Sequence, residues 1–177
     1  MTYPVFASGD VLNATDMNAV GLWLVKSQTV GSGVSSVTVT AAFSSTYDNY
    51  RITYTGGTAS ASTNLRMTLG GSTTGYYNTL VYGTFATTAV TANVNDNNSA
   101  QWSWVGSGTT DFARLVVELQ NPFLTTRTFL SATYSDVGNA GAANGFLGNN
   151  TSHTAFTITP ASGTLTGGTI RVYGYRN

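Results

Sequence analysis

The feature that most constrains this chain is its rhythm. Short stretches of alternating apolar and polar residues are cut at near-regular intervals by clusters of Gly, Ser and Asn. Successive side chains of a strand point to opposite faces, so alternation with period two marks a strand with one buried face. Val34–Thr40 puts Val37 and Val39 on one face, and Leu65–Leu69 puts Leu65, Met67 and Leu69 opposite Arg66 and Thr68. Ala155–Thr159 does the same with Phe156 and Ile158. In Tyr50–Thr55, Tyr50, Ile52 and Tyr54 share a face, but not all three are expected in the core. Leu22–Val30, Tyr76–Tyr82, Gln101–Val105, Arg127–Tyr134 and Thr169–Tyr175 read as further strands. Phe112–Gln120 is long and partly continuous in its apolar residues, as a central strand is.

Between them, Gly31, Gly33, Gly56-Gly57, Gly70-Gly71 and Asn121-Pro122 are breaks. Ala41–Asp48 reads as a turn with Phe43 buried beneath it. Phe85–Val94 fits strand or loop. Asn95–Ser99 and Val137–Asn150 read as loops from their Asn, Gly and Ala content. About ten short strands with such turns suggest a sandwich or barrel. Helices do not alternate with strands, which disfavours a parallel sheet, and no fixed repeat supports a propeller or solenoid. The expectation is all-β: an antiparallel jelly-roll-like β-sandwich over residues 22–177, with a short N-terminal helix outside it.

That helix falls in residues 1–21, the one segment unlike the rest. In Phe6–Asn18, FASGDVLNATDMN, Asn13 is a good N-cap and Asp16 follows three residues later, where a carboxylate favours the positive helix end. Val11, Leu12, Met17 and Val20 are apolar, and Gly21 is a plausible stop. The expected helix is Ala14–Val20. A helix of about two turns is unstable alone in water, so it must dock on its own β domain or on another protein.

Composition narrows the function classes. Only 8% of the 177 residues are charged, net charge is zero, and Lys26 and Glu118 are the sole Lys and Glu. A nucleic-acid binder would show a basic patch, and a protein of anionic membrane surfaces a polybasic one. With no Cys there is neither a disulfide nor a thiolate metal site. No run of about 18 apolar residues exists to span a membrane. MTYPVFASGD lacks the basic and apolar regions of a signal peptide. A neutral, Thr- and Gly-rich chain of extracellular character without a signal peptide fits a component of an assembly released by lysis.

Signals for catalysis are sparse. Asp10, Asp16, Asp48, Asp96, Asp111 and Asp136 sit mostly in expected turns, and Glu118 lies on a strand. A glycosidase needs two facing carboxylates, and Glu118 could be one of them, with alanine at Glu118 or Asp111 as the test; the plainer reading of Glu118 is a strand carboxylate facing solvent or pairing an Arg. His153, the only histidine, reads as a solvated loop residue that builds no typical zinc site. Asn93–Ser99 offers oxygens for Ca²⁺ but only one carboxylate. No cofactor motif occurs. The aromatics carry more: Trp102, Trp104, Tyr76, Tyr77 and Tyr82 lie in or beside strands flanked by polar loops. They suit stacking on sugars, or filling of a core or a subunit interface.

Phe6, Gly9, Asp10, Val11, Leu12, Asp16, Met17 and Asn18 together resemble the short adaptor that opens many tailed-bacteriophage structural proteins. TYDNYRITYTG (Thr46–Gly56) and GTIRVYGYRN (Gly168–Asn177) are similar to small phage fibre and minor-tail β domains. The resemblance implies a non-enzymatic virion component, a homotrimer, docked on a neighbouring virion protein through Phe6, Val11, Leu12 and Met17. It further implies a β domain displayed outward, in contact with host surface glycan when the protein lies at the tail. Without a shaft, the chain fits a compact tail-tip or tail-fibre subunit involved in host attachment, or a capsid decoration protein that stabilises the head. A polysaccharide-active enzyme is the remote alternative. No nucleic acid and no membrane insertion are expected.

Overall fold

The computed structural model describes residues 8, 9, 11 and 21–175. The helix expected at Ala14–Val20 lies outside the described residues. Among those described, the fold is all-β, with thirteen strands joined by antiparallel ladders.

Eight strands form one continuous run: β1 (Leu22–Thr29), β13 (Thr169–Tyr175), β3 (Asn49–Ala59), β8 (Ala113–Gln120), β9 (Thr128–Ser135), β10 (Asn139–Leu147), β5 (Tyr76–Thr84) and β6 (Val90–Ser99). Four more form a second: β2 (Val37–Val39), β11 (Phe156–Pro160), β4 (Thr63–Leu69) and β7 (Trp102–Gly108). The two runs join where β7 turns into β8, through the pairs Gly106–Leu115, Ser107–Arg114 and Gly108–Ala113. Beyond Leu115 the same edge of β8 pairs with β9 instead. The short β12 (Leu165–Thr166) covers the far end of β3.

Both runs bury one face in a single hydrophobic core, which gives a sandwich-like arrangement. Val37, Val39, Leu65, Met67, Leu69, Phe156 and Ile158 come from the second run. Tyr50, Ile52, Tyr54, Leu115, Val117, Leu119, Ile170 and Val172 come from the first. Phe43 is buried, as its turn position predicts, and bridges the two: its ring lies 4.9 Å from Tyr50 and 5.8 Å from Phe156. Each such buried side chain contributes about 1.5–3 kcal/mol through removal of apolar surface from water.

Several sequence expectations need correction. Tyr50, Ile52 and Tyr54 are all fully buried. The phenols are accommodated because each hydroxyl is bonded: Tyr50 donates to the Ser44 carbonyl (2.9 Å) and Tyr54 to that of Gly167 (2.8 Å). Gly56-Gly57 does not end β3, which passes through a register shift there and continues to Ala59. Most of Val137–Asn150 is strand β10, not loop, and Asn95–Ser99 completes β6. His153 is buried, not solvated; its backbone N–H donates to the Pro122 carbonyl at 2.9 Å.

Candidate functional site

In β9 and β10 alternate residues face outward, and antiparallel register lines them up in rows across the sheet. One row runs Tyr175, Asn49, Gln120, Phe129, Phe146, Tyr77 over β13, β3, β8, β9, β10 and β5. The next runs Tyr173, Arg51, Glu118, Ser131, Asn144, Thr79 on the same strands. None of these twelve side chains belongs to the buried core.

The first row carries an aromatic cluster. The Tyr77 and Phe146 rings are stacked, 4.6 Å between centroids and 11° between planes. Phe129, 46% exposed, lies 6.2 Å from Phe146 on the other side. The Arg127 guanidinium carbon sits 5.6 Å from the centre of the Phe146 ring, a cation–π contact. β10 can approach β5 here because residue 145 is glycine: a Cβ there would overlap the Tyr77 carbonyl oxygen.

The second row supplies fixed polar groups. Ser131 Oγ donates to Asn144 Oδ1 at 2.7 Å. Glu118 accepts from Arg51 Nε at 2.6 Å and from the Tyr175 hydroxyl at 2.7 Å. That hydrogen bond and the carboxylate charge raise the pKa of Arg51. Burial and then the same carboxylate raise that of Tyr175. Glu118 is thus a paired strand carboxylate.

Two grooves flank Asn144 and Gly145. One, of about 300 Å³, is lined by Glu118, Gln120, Phe129, Ser131 and Asn144. The other, of about 270 Å³, is lined by Tyr77, Thr79, Asp96, Asn97 and Phe146. Asp96 accepts from the Ser103 N–H and hydroxyl, each at 2.7 Å. A half-exposed ring edged by amides, hydroxyls and a carboxylate has the chemistry for sugars: the apolar face of a pyranose covers the ring, and its hydroxyls exchange water for directional partners.

The aromatics singled out in the sequence divide three ways. Trp102 and Tyr76 are wholly buried, edge to face at 5.0 Å, with Trp102 Nε1 donating to the Tyr77 carbonyl and the Tyr76 hydroxyl accepting from Leu69 N–H. Trp104 and Tyr82 are half-buried against the core, Trp104 lying 5.0 Å from Tyr134. Only Tyr77 joins the outer row. The β4–β7 ladder slips between Leu65 and Met67, in the stretch that carries Trp102 and Trp104.

Beside Trp104, Tyr134 donates to Asp136, which also accepts from the Gly138 and Asn139 N–H groups at 2.7 and 2.8 Å. Burial alone would raise the Asp136 carboxyl, but these bonds outweigh it and hold its pKa below the usual value. Burial and the Asp136 carboxylate push the Tyr134 phenol up.

The other candidates are placed as follows. Asp111 sits in the β7–β8 turn, its N–H donating to Thr109 Oγ1, and it lines neither groove. Of the attachment residues, Val11 is exposed, while Phe6, Leu12 and Met17 lie outside the described residues. Among the described residues no group of three or more His, Asp or Glu side chains is placed to hold a metal ion. Sequence reasoning missed Phe146, Phe129 and Arg127 as site residues. The signal available was the pairing of Asn144 and Phe146 at alternate positions, masked by the glycines and alanines between them. No family model matches the chain, and no curated protein or solved structure matches it.

Proposed function

We propose that this chain is a non-enzymatic structural protein of a tailed-bacteriophage particle, a compact tail-fibre or tail-tip subunit that contributes to host attachment. Residues 1–21 dock it on a neighbouring virion protein, with the short helix Ala14–Val20 as the contact. The β domain, a jelly-roll-like sandwich assembled as a homotrimer, turns its outer face to host surface glycan. The observation that carries the attachment role is the row Phe129–Phe146–Tyr77 with Gln120, Ser131 and Asn144 beside it. Sheet register sets these rings and amides side by side on one face. The adaptor resemblance of Phe6–Asn18 supports the particle location.

Deleting residues 1–21 tests the anchor. Particles assembled with that shortened chain are expected to lack it on immunoblotting. Normal incorporation would rule out docking through this segment.

A further inference from the structure

We infer that the outer row is selective for an acidic sugar, with Arg127 as the partner of its carboxylate. The inference rests on the glycan-binding reading above and adds the charge class. Arg127 is exposed, lies over Phe146, and has no carboxylate within ion-pair distance among the described residues. The cation–π contact places the exposed guanidinium beside the rings, where its N–H groups can meet a carboxylate in two parallel hydrogen bonds.

Neither carboxylate that lines the grooves is ion-paired with it among the described residues. Glu118 in the adjoining groove is neutralised by Arg51 and bonded by Tyr175. Asp96 in the second groove is engaged by Ser103. Arg171, farther along the same face, donates to Thr55. A chain of zero net charge therefore presents an unpaired cation beside its exposed rings. A uronate-type residue seated on Phe129 would place hydroxyls against Gln120, Ser131 and Asn144 and its carboxylate toward Arg127.

The test is binding of the full-length protein to oligogalacturonate and to the same oligomer with its carboxylates methyl-esterified, which removes charge and keeps the ring. The acid form is expected to bind more tightly, with an affinity that falls as salt rises. Arg127→Gln is expected to weaken the acid form about tenfold and leave the ester unchanged, as loss of a charge-assisted pair does. Phe129→Ala should weaken both. Equal affinity for acid and ester, an unaltered Arg127→Gln protein, or no binding of the acid form would overturn the inference. Any of these results in a protein that still sits on particles and mediates adsorption would leave the attachment role standing. Acid-selective binding by a protein found on no particle would do the reverse.

Discussion

At the scale of single residues, His153 links burial to pH. Burial lowers the pKa of its imidazole, and its Nε2 has no hydrogen-bond partner among the described residues. The folded ring therefore stays neutral where an unfolded one takes a proton. With the folded pKa below the unfolded one, this contribution to stability is complete above the unfolded value and is lost as pH falls through the folded one. Urea denaturation between about pH 7 and pH 5 should show stability declining, and His153→Gln should flatten that slope. An unchanged slope in the variant would mean that other groups set it.

Gly145 links one residue to the site. Because a Cβ would collide with the β5 backbone, Gly145→Ala is expected to cost about 1–3 kcal/mol in urea unfolding and to disturb the Tyr77–Phe146 stack. A variant as stable as the parent would show that β10 has room to shift.

At the scale of elements, paired edges decide rigidity. β3, β8 and β10 are hydrogen-bonded along both edges, whereas among the described residues β1, β2 and β6, the outermost strands of the two runs, each have a single neighbour. Hydrogen exchange should leave the amides of β3, β8 and β10 protected longest and release those of the three edge strands first. Fast exchange in β10 would contradict the ladder that supports the candidate site.

The same comparison explains what the sequence made legible. Strands rich in Val, Ile, Leu and aromatics, such as Leu65–Leu69 and Thr169–Tyr175, announce themselves by alternation and appear where expected. β10, NAGAANGFL, does not, since Asn, Gly and Ala are the residues of turns. It is a strand because β9 and β5 pair with it on both sides, and because its glycines permit close approach. β6 hides for the same reason, its Asn-rich end being fixed by the Asp96–Ser103 bonds. The site was half legible: Tyr77 could be named, but Phe129 and Phe146 become its neighbours only through pairing between strands distant in sequence. Trp102 attracted attention as a large aromatic and is core for that reason, packed on Tyr76.

At the scale of the whole molecule, formal net charge is zero, but all seven Lys and Arg lie in residues 22–177 while Asp10 and Asp16 lie in the N-terminal segment. With only 8% of residues charged, long-range electrostatic steering is weak. On the proposed reading, recognition by the outer face rests on short-range contacts: stacking, amide hydrogen bonds and the Arg127 guanidinium beside Phe146. If the proposed function holds, such a face would bind a single sugar weakly, and several copies on one particle would multiply the effect through effective concentration.

The most direct test of this account is antibody labelling of intact particles, using antibody raised against the full chain and viewed by electron microscopy. The account predicts label at the tail, in few copies. Label spread over the head would make the protein a capsid decoration component, with the aromatic row serving contacts between virion subunits, and absence of label from every particle would contradict the virion assignment itself.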